Sequence, residues 1–290
     1  MSTIAERARA RPGPAADEVQ VYEPHRAGLP PLGPYLRDLW QRRQFVFELA
    51  RSNLRAQHFN TAFGQLWLIL NPLLLALVLF ALVTIIRGGS RGTEFLAHLM
   101  LSLFAFRLVS TSVSSGAKSV TRGGRLILNA AFPRTLLPIE STLTAFLRFL
   151  PTLVLYAIMH VYAGLPVGPE LLWAIPIVAC LLGFGLGAAM LMATAQVYFR
   201  DLANFLPYFT RIWLYTSPVI YYAHEVPERL KPIVAANPLY PMLAALSEAV
   251  TEGRAPSPGY LAAGLAWALG ALVVGGLVFI SRERDFAVRL

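Results

Sequence analysis

Residues 60–86, 171–199 and 255–280 of this chain contain no charged side chain. Each run is longer than the roughly 20 apolar residues with which an α-helix crosses the ~30 Å hydrocarbon layer of a bilayer. A soluble core does not require uncharged runs of that length. Lipid does, because it excludes charge and obliges each backbone amide to find its partner within the segment. The chain therefore reads as an all-α integral membrane protein, with 56% hydrophobic against 14% charged residues. The net charge of +9 comes from arginines that flank apolar segments and form no reading helix or aromatic sheet motif. Membrane orientation and anionic lipid account for them better than nucleic acid does. The single cysteine, Cys180, lies inside an apolar run and offers neither a disulfide framework nor a metal cluster.

Residues 1–34 mix arginine, alanine and proline without an apolar stripe and read as a disordered cytoplasmic extension. They are not a secretory signal, since no apolar core with a small-residue cleavage site follows the early arginines. From residue 35 to 59, Arg37, Gln41, Gln44, Glu48, Arg51 and Arg55 recur at spacings of three and four, the signature of one helical face. Leu36, Trp40, Val46 and Phe47 cover much of the remainder, so this segment is expected to lie along the membrane surface. Spans are predicted over 63–86, 95–117, 140–163, 171–198, 202–222 and 259–280, with both termini on the cytoplasmic side. Between the last two, residues 224–250 turn from polar to apolar and are broken at Asn237-Pro238 and Pro241. They suit short re-entrant helices, tolerable where protein or water satisfies the free backbone groups.

The charges left inside this pattern are the informative ones. Lys118, Arg122, Arg125 and Arg134 crowd one short break between spans, 118–140, where the positive-inside bias would retain them. The apolar patch from Leu126 to Phe132, ended by Pro133, lets that break present a small helix to a partner. Arg87 and Arg91 oppose the bias but are outweighed. Arg107 shares a helical face with Ser110, Thr111 and Ser114, and Arg148 shares one with Ser141, Thr144 and Thr152. Such arginines look into protein or water; a structural partner and an anionic substrate are both open readings. Gly183, Gly185 and Ala188 imitate a dinucleotide fingerprint but sit in mid-helix, where Gly183 and Gly187 suit close helix packing. No phosphate loop, zinc-protease helix or intramembrane carboxylate pair occurs, and His98 and His160 read as hydrogen-bonded interior residues. No enzyme chemistry is expected in this chain, so uphill transport would draw its energy from another one.

Phe63-Gly64-Gln65-Leu66-Trp67 running into Asn71-Pro72, then Asn129-Ala130-Ala131-Phe132-Pro133-Arg134 with Pro138, follow one another in order. Phe199-Arg200-Asp201, Ser217-Pro218-Val219-Ile220-Tyr221 and Asn237-Pro238-Leu239 complete the series. Over residues 35–284 this set resembles the permease subunit of type 2 ATP-binding cassette exporters. It is most similar to the polysaccharide and O-antigen branch, which includes teichoic acid and galactan exporters. The resemblance implies a 35–290 transmembrane domain in a homodimer, with two nucleotide-binding subunits that hold ATP and Mg. This chain would carry no cofactor of its own. The implied cargo is an undecaprenyl- or decaprenyl-diphosphate-linked glycan, exported across the bacterial cytoplasmic membrane. Arg122, Arg125, Asn129, Phe132 and Arg134 would then belong to the coupling helix, residues 35–59 to the interface helix, and Pro218, Tyr221, Asn237 and Pro238 to an outer gate. Arg107 is a candidate for the diphosphate. Trp67, Tyr208 and Trp213 are candidates for an aromatic path on which sugar C–H faces slide. A membrane-embedded glycosyl or acyl transferase, an exporter of another lipid or drug, and a channel are the rival readings. The first lacks the acid or histidine pairs its chemistry needs.

Overall fold

The computed structural model describes residues 31–56, 63–89, 91–124 and 132–289. Among these the elements are all helical. Two amphipathic helices, α1 (Leu32–Gln41) and α2 (Arg43–Ala56), precede α3 (Trp67–Arg87) and α4 (Gly92–Ala117). A one-turn helix, α5 (Ser119–Arg122), then leads toward α6 (Leu136–Tyr162) and α7 (Ala174–Tyr198). The shorter α8 (Leu202–Thr216), α9 (Lys231–Ala235) and α10 (Leu239–Val250) are followed by α11 (Pro258–Arg282) and a terminal α12 (Phe286–Arg289).

Among the described residues five helices, α3, α4, α6, α7 and α11 with their flanking turns, are long and apolar enough to cross a membrane. The number rises to six if the bent pair Glu228–Ala235 and Leu239–Val250 counts as one span; its halves meet at 112°. The span expected at 202–222 is cut short. Its helix α8 has 15 residues, about 22 Å at a rise of ~1.5 Å each. It stops because Ser217 precedes Pro218, whose ring disfavours helical backbone in the residue before it, and Ser217 is extended (φ −91, ψ 152). The sharp bend in the following pair falls at Asn237-Pro238, which suits a broken span and a re-entrant loop alike.

The core is built around α4. In its most apolar window 83% of residues are buried, against 22% for α3 and for α11. It packs against α3, α6, α7, α8 and α10. Leu74, Leu77, Val78, Leu82, Ile85 and Ile86 instead leave the outer face of α3 exposed. The closest helix pair is α7 with α11. A Cβ on Gly187 would overlap the backbone of Ala271, and one on Gly275 would overlap the Gly187 carbonyl. The expected glycine-mediated contact is therefore present, with Gly183 facing Leu272 one turn earlier. Gly88 ends α3 in the left-handed region (φ 71), which lets its amide and that of Gly89 return to Ile85 and Thr84.

The surface helix expected over 35–59 is two helices meeting at Arg42. Its polar stripe, from Arg37 to Arg55, is exposed throughout. The opposite face of α2 does not lie free: Val46 and Ala50 are buried and α2 packs on α6, where Asn53 Nδ2 donates to Glu140 Oε1 at 2.9 Å. The expected disordered extension lies outside the described residues up to residue 30, and α1 begins at Leu32.

Candidate functional site

Polar groups gather at several places among the described residues, and three of these assemblies take in residues singled out from the sequence. The first lies within the apolar bundle, where α3, α4 and α6 enclose a cavity of about 100 Å³, room for several waters. Trp67 and Asn71 come from α3, Arg107 and Thr111 from α4, Arg148 and Thr152 from α6. The two arginines, each near the middle of its helix, thus face one space. Neither was connected to the other in the sequence, because helix periodicity gives a face but no neighbour. The remaining polar residues of the α6 stripe are committed locally: Thr144 Oγ1 donates to Glu140 Oε1 at 2.7 Å and Thr152 Oγ1 to the Phe149 carbonyl at 2.6 Å. Of the four path candidates, Trp67 and Arg107 therefore share the cavity and Tyr208 and Trp213 do not line it.

Tyr208 is exposed on the flank of α8 beside Phe205 and Ile212. Trp213 is buried, its ring packed against Phe106, Phe184 and Phe209 at centroid distances of 5.7, 6.2 and 5.4 Å. In this protomer the ring of Trp213 is thus surrounded by its own chain.

The second assembly gathers at the end of the bundle where α3 meets α4. Glu225 accepts from Arg87 Nη1 at 3.3 Å and from both terminal nitrogens of Arg91. Its other bond is from the Tyr222 amide, at 3.0 Å. Burial pushes the Glu225 carboxyl up, but the Tyr222 amide and the two guanidiniums outweigh it and hold it below its ordinary range. The Arg91 guanidinium also lies 4.1 Å from the Phe95 ring centroid. The two arginines that opposed the positive-inside bias are thus anchors for the segment after α8. Beside them the fully buried His98 bonds Ser247 Oγ (2.8 Å) and the Tyr221 carbonyl (3.2 Å), the interior role expected of it. The gate candidates are knit into the same region. Asn237 Oδ1 accepts from Trp213 Nε1 and from the Leu239 amide, Pro218 is buried, and Tyr221 donates from its hydroxyl to the Thr216 carbonyl. Pro238 starts the turn into α10.

The third assembly is at the opposite end, with both described chain ends. Glu283, just past α11, accepts from the Tyr35 hydroxyl of α1, from the Arg134 amide (3.2 Å) and from Thr135 Oγ1 (3.4 Å). The Arg134 guanidinium donates to the Glu283 carbonyl. Burial raises the Tyr35 hydroxyl pKa well above the usual phenol, and the Glu283 charge adds to it. Arg134 is therefore engaged within the chain. Phe132 likewise packs inward, 6.4 Å from Phe45 and against a small core that includes Val120, Leu137, Phe279 and Phe286. Arg122 is exposed, whereas Arg125 and Asn129 lie outside the described residues. Sequence reasoning missed Glu225 and Glu283. The one available signal was that each is an acid set among basic and aromatic flanks.

No protein-family model matches the chain. Curated relatives do. An O-antigen export system permease protein RfbA of Klebsiella pneumoniae is 27% identical over 217 residues, 72% of this chain and 82% of that protein. A second protein of that name from the same organism is 24% identical over 206 residues, 69% of this chain and 78% of its own. The Myxococcus xanthus protein of that name is 26% identical over 258 residues, 87% of this chain and 97% of its own. Over 69–87% of its length the chain is thus similar to permease proteins of O-antigen export systems, and with them it resembles the O-antigen branch of the type 2 ATP-binding cassette permeases.

Proposed function

We propose that this chain is the membrane-spanning half of a polysaccharide exporter that moves a polyprenyl-diphosphate-linked glycan, O-antigen or galactan in type, across the cytoplasmic membrane. Two copies pair, and each docks a separate subunit that binds and hydrolyses ATP with Mg. The observation that carries the reading is the long match to export permeases over a bundle of membrane-length helices. The third assembly supports an orientation with both termini in the cytoplasm. It ties α1, the exit of the basic loop and the end of α11 together at one end, which is the arrangement a docking surface for the ATPase requires. On this reading Arg122, with Arg125 and Asn129, meets the partner, and Phe132 and Arg134 hold the loop in place. The segment containing Pro218, Tyr221, Asn237 and Pro238 closes the far end.

The transferase alternative needs a free acid or base at the membrane. Glu140, the buried acid of α6, is occupied by Asn53, Ser141 and Thr144 instead. The test is reconstitution in cells lacking their own exporter. The chain together with an ATP-binding cassette subunit should place lipid-linked glycan on the outer face, and the purified chain alone should hydrolyse no ATP. Glycan transfer or ATP turnover by the single chain would overturn the reading.

A further inference from the structure

The cavity between α3, α4 and α6 has a lopsided chemistry. Two guanidiniums, Arg107 and Arg148, line it, with the amide of Asn71 and the hydroxyls of Thr111 and Thr152, and no carboxylate is among its described lining residues. An arginine at the centre of a membrane helix costs about 2.5–3.5 kcal/mol on insertion scales. Two guanidiniums lining one cavity add like-charge repulsion to that cost. An anion between the two guanidiniums would stabilise both. Guanidinium presents paired N–H donors that match phosphate oxygens and stays charged when partly desolvated. Two such forks suit the spread charge of a diphosphate better than a single carboxylate. The other walls are apolar: Trp67, Leu68, Phe104 and Phe149. The α3 wall belongs to a sparsely buried span, so the ligand is an amphiphile whose tail can remain in lipid while its head enters.

We propose that Arg107 and Arg148 form a two-guanidinium site for the diphosphate head of a lipid, closed on one side by Trp67 and Asn71. The site rests on the export reading and assigns the place within the chain where the carrier's phosphates are held. Two sources of phosphate could occupy it, the diphosphate carrier or an anionic phospholipid of the bilayer, and we assign the carrier.

The experiment uses the full chain with its ATP-binding partner in phosphatidylcholine nanodiscs, with radiolabelled undecaprenyl diphosphate as the probe. Arg107→Gln and Arg148→Gln should each weaken binding by about 10- to 100-fold, the range for losing a charged hydrogen-bonding partner. Excess phosphatidylglycerol should leave the wild-type signal unchanged. Binding by the folded double variant within about twofold of wild type would overturn the site. Equal displacement by phosphatidylglycerol would overturn it too, identifying a structural lipid. If the glutamine variants do not fold, Arg107→Lys with Arg148→Lys decides: charge is kept but the forks are lost, so binding should fall by about 3- to 10-fold, and unchanged binding overturns the proposal. A wild-type complex that exports glycan yet binds no probe overturns the site and leaves the export reading intact. A wild-type complex that exports nothing removes that reading itself.

Discussion

Trp213 Nε1 donates to Asn237 Oδ1 across 2.8 Å, joining the last turn of α8 to the bend that opens α10. Asn237 uses every polar atom of its side chain there. Its Oδ1 also caps the Leu239 amide at 3.0 Å, and its Nδ2 donates to Ser217 Oγ at 2.9 Å. The bond therefore fixes the two prolyl breaks, Ser217-Pro218 and Asn237-Pro238, relative to each other. Trp213→Phe keeps a ring among Phe106, Phe184 and Phe209 but removes one bond, for an expected loss of about 1 kcal/mol. Asn237→Ala removes the whole hub and should cost about 2–3 kcal/mol. Thermal unfolding of the detergent-solubilised chain should rank them in that order, and equal midpoints for both variants and wild type would remove Asn237 as the hub.

The Arg87–Glu225–Arg91 cluster predicts acid sensitivity of the same end. Because the folded Glu225 carboxyl titrates below its ordinary value, its contribution is present above the unfolded carboxylate pKa of about 4.3 and is lost as pH falls through the folded one. Glu225→Gln cannot lose it that way. Between about pH 5 and pH 3 the wild type should therefore lose more thermal stability than Glu225→Gln does. Parallel pH profiles for the two proteins would show that the cluster contributes nothing to folding.

The α7–α11 contact makes a sharper prediction. Gly187→Ala places a Cβ on the Ala271 backbone, which cannot rotate out of the way, so the helices must separate. Overpacking of this kind costs about 1–3 kcal/mol. Gly270→Ala on α11, whose Cβ would meet open space, is the matched control and should melt with the wild type. A wild-type melting temperature for Gly187→Ala would show that the contact is looser than the backbone positions indicate.

What was legible in the sequence follows from what one-dimensional patterns encode. Uncharged run length located α3, α7 and α11, and the polar stripe of α1 and α2 emerged exposed as its spacing required. Gly183 and Gly187 lay where a helix contact was expected. The fifth span failed because apolar content at 202–222 was read as length, although the Ser217-Pro218 dipeptide carried the stop. Pairings across the bundle were invisible for a different reason. Nothing local to Arg91 names Glu225, and nothing local to Arg107 names Arg148; those relations arise when helices far apart in the chain pack together. The surroundings of Trp213 were invisible in the same way, since an aromatic residue in a short helix looks the same whether it faces a path or a core.

The basic loop gives the last prediction, because the structure divides its arginines into two kinds. Arg122, at the end of α5, is exposed, and a partner surface could reach it. Arg134 is held by Glu283, its amide on the carboxylate and its guanidinium on the carbonyl, within the knot that also takes in Tyr35 and Thr135. Charge reversal should therefore act differently at the two positions. Arg122→Glu should leave the melting temperature of the isolated chain unchanged but abolish co-purification with the ATP-binding subunit, if that subunit offers acidic groups to the loop. Arg134→Glu sets a second carboxylate beside Glu283 in a half-buried place, where like charges repel without full solvent screening. It should lower the melting temperature and open the 132–135 segment to protease before any partner is present. Tyr35→Phe, which withdraws one donor from Glu283 and keeps the ring, should show a weaker form of the same defect. The decisive comparison is the melt of the chain alone. If Arg122→Glu destabilises it as much as Arg134→Glu, the loop is one structural unit and the docking role of Arg122 falls.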